Sequence, residues 1–220
     1  MILAFDLDDT LYSEHSFVLS GFRKVAHIIA SSCGVSEVLV LQELISELRE
    51  NGRGKIFDSV LLNHDVFSQG LLGECIVEYQ NHRPDIVLFP GALEILGDDK
   101  NMPKYLVTDG NPMTQNNKVD ALGIRNFFSE VFTTWSFGRE FAKPSLRVFE
   151  EILRRENCTF EELVYVADDP NKDFVSLNKA GAITVRVLTG RFSSLQPSVG
   201  FDAKFTIENI SQFDVSNYPT

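Results

Sequence analysis

Basic residues are scarce in this sequence: 20 Lys and Arg stand against 31 Asp and Glu, a formal net charge of −11. Affinity for nucleic acid rests on clustered Lys and Arg, so nucleic acid is excluded as a bound partner. Cysteine is sparse as well. Cys33, Cys75 and Cys158 are odd in number, lie far apart and form no Cys-x-x-Cys pair. That argues against a disulfide framework or a zinc site and for reduced thiols in a cytosol. No apolar run is long enough to span a bilayer, and Met1 leads into a strand without a basic n-region or an apolar h-region. The expectation is a cytoplasmic protein with no membrane partner. Internal repeats and low-complexity tracts are missing too. With 44% hydrophobic and 23% charged residues, 14 Gly and 8 Pro, the composition is globular. The length of 220 residues suits one large domain or a domain carrying an insertion.

What is present begins at the first dozen residues, MILAFDLDDTLY. Ile2 to Phe5 form a short apolar run with no turn signal, the pattern of a buried central strand. Asp6, Asp8, Asp9 and Thr10 follow at once. Like charges resist sharing a site, so acids this dense at a strand's mouth call for a cation, and a metal ion is the economical one.

Residues 13–88 read as helices. Val18, Phe22, Val25 and Ile29 recur at helical spacing, as do Leu41, Leu44, Ile45 and Leu48; Gly52 and Gly54 break this second helix. Phe57, Val60 and Leu61 suggest a third helix and Leu72, Cys75, Ile76 and Tyr79 a fourth, closed by Pro84. A small helical bundle inserted after the first strand is the natural object. Thereafter strands and helices alternate. The expected strands are 105–107, 131–134, 163–167, 183–187 and an edge strand at 204–207; the expected helices run from Pro90-Gly91 through Leu96 and over 112–122, 145–156 and 171–180. This alternation predicts an α/β fold, a doubly wound parallel sheet, in which ligands bind at the carboxyl ends of strands.

The polar residues fall at those ends. Asp6 follows the first strand, Thr108-Asp109-Gly110 the second and Asp168-Asp169 the fourth, while Lys143-Pro144 lies in the loop after the third. Each alone is an ordinary turn or surface residue; the conjunction points to phosphate and metal chemistry. The Asp-x-Asp-x-Thr-Leu stretch resembles motif I of the haloacid dehalogenase (HAD) superfamily. Thr108 resembles its motif II hydroxyl, Lys143 its motif III lysine, and Asp168 with Asp173 its motif IV acids.

The resemblance implies a Rossmann-like core formed by residues 1–12 and 89–220, and a helical cap of the C1 type, 13–88, that covers the active site and selects substrate. It also implies a Mg2+-dependent phosphomonoesterase acting on a small phosphorylated metabolite. Asp6 would attack phosphorus and form an aspartyl-phosphate, and Asp8 would act as general acid and then base. Magnesium would be bound by Asp6, the Asp8 main-chain carbonyl and Asp168. Thr108, Asp109, Gly110 and Lys143 would bind the phosphoryl group, with backbone N–H groups near Leu7 and Gly110 completing the cradle. Thr10 would orient Asp8, and Asp169 and Asp173 would stand behind the ligands, Asp173 reaching the metal through water or steadying Lys143. Which of Asp168, Asp169 and Asp173 bind metal directly stays open. A carboxylate at Asp8, which the dehalogenases and the phosphonate-cleaving branch lack, points to phosphate esters.

The chain departs from the common pattern at Asp9 and Ala167, where glycine is frequent, and at Asp109, where asparagine is frequent. Tyr12, His15, Phe17, Arg23, Lys24 and Arg53 are the candidate substrate contacts near the cap junctions. Two other readings share the core chemistry: a phosphosugar mutase of the β-phosphoglucomutase type, and a non-hydrolytic phospho-aspartyl signalling module akin to response-regulator receivers. A receiver, however, has no helical insertion after its first strand. Substrate identity and oligomeric state are not specified by the sequence.

Overall fold

The computed structural model describes residues 1–98 and 102–219; residues 99–101 and 220, inside the expected core segment 89–220, lie outside that set. In chain order, β1 (Ile2–Phe5) is followed by α1 (Glu14–Cys33), α2 (Glu37–Asn51), α3 (Ile56–Asn63) and α4 (Gln69–Asn81). Then come α5 (Ala92–Gly97), β2 (Lys104–Thr108), α6 (Pro112–Leu122), β3 (Glu130–Thr133) and α7 (Arg147–Glu156). The chain continues with β4 (Leu163–Ala167), α8 (Val175–Ala180), β5 (Ile183–Val187) and β6 (Phe205–Ile207). Two compact units result: Met1–Glu14 with Ile86–Thr220, and His15–Asp85.

In the first unit all strand pairs are parallel, in the order β3-β2-β1-β4-β5-β6. The fold is a Rossmann-like α/β sheet. β1 lies between β2 and β4, which explains its unbroken apolar run: all four residues are buried. Alternation along the strands sorts the core. Ile2, Ala4, Tyr105, Val107, Tyr165 and Ala167 pack with Phe149, Ile152 and Leu153 of α7 and with Leu177 of α8. Phe5, of opposite parity, meets Phe128 and Phe213 edge-on at 6.4 and 5.7 Å between ring centroids. The segments that join the two units are tied within this one: Tyr12 bridges Leu88, and the Phe89 N–H donates to the Leu11 carbonyl at 2.8 Å.

The helical unit is built around aromatic contacts. Tyr79 meets Phe17 and Phe57 edge-on at 5.4 and 5.5 Å. Gly21 makes this packing possible, since a Cβ there would lie 2.5 Å from the Tyr79 ring. Among the described residues, no helix is long and apolar enough to cross a membrane.

Two helices differ from the sequence expectation. α7 starts at Arg147 rather than Ser145. α8 starts at Val175 rather than Asn171, because side chains hold residues 169–173 in a turn. The Asp169 carboxylate accepts the Asn171 N–H at 3.0 Å and its side-chain amide at 2.8 Å, and the Asp173 carboxylate accepts the Asp169 N–H at 3.0 Å. Such bonds offer the backbone an alternative to the helical ladder.

Phe5 is fully buried at the sheet centre. Phe5→Ala should lower unfolding free energy by about 3–5 kcal/mol, read as a shifted urea midpoint with an unchanged slope.

Candidate active site

The strand order reverses direction between β1 and β4, and a doubly wound sheet opens its ligand crevice outside the carboxyl ends at that point. Asp6 follows β1 there, its N–H bonded to the Val166 carbonyl at 2.9 Å, and Asp168 follows β4. Thr108 ends β2, and Lys143 reaches in from the connection between β3 and α7. All four side chains are buried.

Lys143 is the hub. Its ammonium lies 2.8 Å from Asp6 Oδ1 and 2.7 Å from Asp173 Oδ1, and donates to the Tyr165 hydroxyl at 3.0 Å. An ammonium has three protons, and these three partners match them. Burial works against the Lys143 charge, but Asp173 and Asp6 outweigh it and hold its pKa well above the ordinary lysine value. Of the two roles weighed for Asp173, it performs the steadying of Lys143. Tyr165 escapes a reading by motif; its one signal is a polar tip inside the otherwise apolar β4.

Asp8 is held by side chains that no motif announced. Lys118 Nζ lies 2.7 and 2.9 Å from its two carboxylate oxygens, Gln115 Nε2 donates to Oδ2 at 2.9 Å, and the Tyr12 hydroxyl donates to Oδ1. Burial pushes the Asp8 pKa up, but the Lys118 charge and the hydrogen bonds from Lys118, Tyr12 and Gln115 bring it below the usual aspartate value. The same Gln115 nitrogen donates to Thr108 Oγ1. A carboxylate can only accept, so the nitrogen end of the amide must face Asp8; Thr108 then accepts from Gln115 and keeps its own proton to donate elsewhere. Gly110 packs against the Gln115 side chain. Gln115 and Lys118 stand three residues apart on α6, whose few apolar residues give no sequence signal of which face is buried.

Three expectations are corrected. Tyr12, a candidate substrate contact, is fully buried in the α/β unit with its hydroxyl on Asp8. Thr10 does not orient Asp8; its hydroxyl donates to Asp168 Oδ1 at 3.4 Å. Asp109 does not offer its side chain to an anion. Its carboxylate accepts from the Thr134 hydroxyl at 2.7 Å and the Lys143 backbone N–H at 3.1 Å, and pairs with Lys172 at 2.9 Å. Burial raises the Asp109 pKa, yet Lys143 and Lys172 bring it below the usual range. The Asp169 side chain shapes the turn described above, and Asp169 supports the acidic cluster through its N–H on Asp173.

The unusual Asp9 has a local explanation. Its φ of 55° is the left-handed conformation that favours glycine. Its side chain accepts the Glu14 N–H at 2.9 Å and the Arg191 N–H at 3.4 Å, and its carbonyl accepts the Thr189 hydroxyl. Asp9 thereby clips the β1 turn to the loop after β5. Gly190 is required at the contact, where a Cβ would fall 2.1 Å from Asp9 Cγ. Seven acidic side chains, Asp6, Asp8 and Asp168 among them, line a cavity of about 100 Å³ together with two basic ones, Lys172 and Arg191.

A family model for haloacid dehalogenase-like hydrolases matches residues 1–181. The chain belongs to that family. It is 31% identical to the glyceraldehyde 3-phosphate phosphatase of Methanocaldococcus jannaschii, over 96% of this chain and 93% of the relative. It is 33% identical to the enzyme of the same name from Methanothermobacter thermautotrophicus, over 83% of each. A HAD hydrolase from Bacillus subtilis, solved with bound magnesium, shares the fold with a TM-score of 0.65 at 18% identity, over 94% of each chain. This HAD hydrolase is thus an enzyme, with relatives named as phosphatases.

The donor set of this HAD chain fits a small hard cation. One carboxylate oxygen from each of Asp6, Asp168 and Asp173 lies within 4.8 Å of the others. Asp6 Oδ1 and Asp173 Oδ1 are held by Lys143, Asp173 Oδ2 by the Asp169 N–H and Asp168 Oδ1 by Thr10. The second oxygens of Asp6 and Asp168 therefore suit a cation best, while the Asp8 side chain is turned to Lys118 and leaves only its carbonyl for that purpose. Oxygen-only ligation of this kind suits magnesium or manganese. Burial pushes Asp6 up to about 7, with Lys143 opposing it. Burial and then the charges of Asp173 and Asp6 push Asp168 up to about 9. Both carboxylates are short of positive charge.

The folded state holds protons on Asp6 and Asp168 that the unfolded chain releases near pH 4, so this part of the stability is present below pH 4 and lost as pH rises through about 7 and about 9. In metal-free protein, Asp168→Asn should gain melting temperature relative to wild type progressively from about pH 4 to pH 9. The variant should also lose most of the rise that added magnesium gives the wild type, as scanned by calorimetry.

Proposed function

We propose that this phosphatase is a magnesium-dependent phosphomonoesterase for a small phosphorylated metabolite of triose-phosphate size, working through an aspartyl-phosphate on Asp6. The observation that carries this reading is the meeting of Asp6, Thr108, Lys143 and Asp168 at four adjacent strand ends, with Lys143 bonded to Asp6 at 2.8 Å.

A phosphate monoester repels nucleophiles, so its charge must be offset and the attacking oxygen held in line. Lys143, bonded to Asp6 Oδ1, orients the Asp6 carboxylate for attack on phosphorus. Asp8, ionised in the resting site, takes the proton that the monoanionic ester brings as it binds and passes it to the departing alkoxide as the phosphorus–ester oxygen bond breaks. In the second half, water attacks the aspartyl-phosphate, Asp8 takes its proton, and inorganic phosphate leaves with Asp6 regenerated. Thr108 donates its free proton to a phosphoryl oxygen, and the backbone N–H groups near Leu7 and Gly110 complete the cradle. Lys172, which lines the cavity, adds a second positive charge there. Magnesium, held by Asp6, Asp168 and the Asp8 carbonyl, would supply the remaining charge neutralisation.

The helical unit His15–Asp85 is the element assigned to substrate selection, as a cap of the C1 type. The curated relatives named for glyceraldehyde 3-phosphate, at 31% and 33% identity, support a triose phosphate as the first substrate to try. A metabolite of this kind, with three free thiols in the chain, suits a cytoplasmic enzyme.

Phosphate release from glyceraldehyde 3-phosphate, 4-nitrophenyl phosphate and a panel of sugar phosphates and nucleotides tests the reading. Release should require magnesium, stop with chelator and fall to background in Asp6→Asn. Release that persists in Asp6→Asn, or a stable phospho-aspartate with no turnover, would overturn it.

A further inference from the structure

α6 holds two buried polar side chains that belong to none of the motifs. Gln115 and Lys118 are 2% and 3% exposed and sit on one face, three residues apart. Both reach Asp8: Lys118 across both carboxylate oxygens at 2.7 and 2.9 Å, and Gln115 to Oδ2 at 2.9 Å. Burying an ion pair is a poor route to stability, because well-packed apolar side chains of the same volume usually serve as well or better. What the pair does supply is placement. An aspartate in a turn has several staggered rotamers open to it, and a bidentate ammonium from a rigid helix selects one. Gln115 adds the second constraint, since its one nitrogen bonds both Asp8 and Thr108 Oγ1. The Asp8 carboxylate is thereby tied to the hydroxyl that faces the phosphoryl group.

We infer that Lys118, assisted by Gln115, is a positioning residue that holds the Asp8 carboxylate beside Thr108 for proton transfer to the leaving oxygen. The inference rests on the phosphomonoesterase reading above. Lys118 transfers no proton itself: it holds Asp8 as a carboxylate that accepts the proton brought by the monoanionic ester, Asp8 passes that proton to the alkoxide as the phosphorus–oxygen bond breaks, and in the second half Asp8 takes one from the attacking water and returns it to the departing phosphate. A placement of this precision matters in proportion to how much the leaving group needs the proton.

That proportion is the test. An alkoxide leaves poorly without a proton, whereas 4-nitrophenolate leaves readily without one. The quantity to compare is kcat/KM, which reports on the first phosphoryl transfer, for glyceraldehyde 3-phosphate and for 4-nitrophenyl phosphate. Lys118→Met should lose about tenfold or more on the triose phosphate and less than about threefold on the aryl phosphate, a fraction of what general acid catalysis contributes. Lys118→Arg, which keeps a bidentate donor, should recover part of the loss, and Gln115→Leu should show the same asymmetry in weaker form. If Lys118→Met does not fold by circular dichroism, these two variants give the same ratio. Equal losses on both substrates, or no loss on either, would overturn the inference while leaving the phosphatase reading intact. A wild-type protein that releases phosphate from neither substrate would overturn both.

Discussion

Too many carboxylates share one water-poor place, and the rest of the site is arranged around that fact. Asp6, Asp168 and Asp173 bring oxygens within 4.8 Å of one another, all in side chains that are nearly inaccessible. Left alone, such groups protonate, and burial does push Asp6 and Asp168 upward. Lys143 offsets part of the charge by bridging Asp6 and Asp173. One ammonium cannot balance three carboxylates, and the deficit is what makes the site receptive to a further cation. The same crowding makes the metal-free state sensitive to pH, with stability falling as the medium becomes more basic.

Rigid elements carry this arrangement. Asp6 and Asp168 follow strands paired on both sides and Lys118 stands on α6, while Lys143 and Asp173 are fixed by their bonds to each other and to Tyr165. The Tyr165 ring is wedged edge-on against Phe149 of α7 at 4.9 Å, and its hydroxyl bonds Lys143 at the other end. Core packing and site geometry are therefore one structure at that residue. On the opposite flank, Asp9 clips the β1 turn to the loop after β5 and brings Arg191 to the cavity wall. The motif residues sit between these two supports.

The three lysines of the site act differently, and each difference is physical. Lys143 is wholly enclosed and saturated by three acceptors, which makes it a fixture of Asp6 and Asp173. Lys172 is partly exposed, lines the cavity and holds Asp109. Lys118, bound across Asp8, sets it apart electrostatically from the acidic cluster: Asp8 lies below the usual aspartate range while its neighbour Asp6 lies above it. Two carboxylates two residues apart thus differ because burial outweighs Lys143 at Asp6, whereas Lys118, Tyr12 and Gln115 outweigh burial at Asp8.

Local chemistry determined much of this in advance. Four apolar residues before Asp6 had to be a strand buried on both faces, Gly123 had to end α6, and alternating strands and helices had to wind a parallel sheet whose ligand site lies at its carboxyl edge. Those rules depend only on neighbours in sequence, so Asp6, Thr108, Lys143 and Asp168 could be picked out from strand ends alone. Tertiary structure decided what depends on distant residues meeting. Lys118 and Asp8 are 110 positions apart, and nothing in the spacing of α6 reveals that its polar face turns inward. Thr10 chose Asp168 over Asp8, Tyr12 turned into the core, and Asp109 became an anchor for Lys172. Hydrogen-bond partners are chosen by where the folded chain leaves an unsatisfied acceptor, and that position exists only once the sheet has closed.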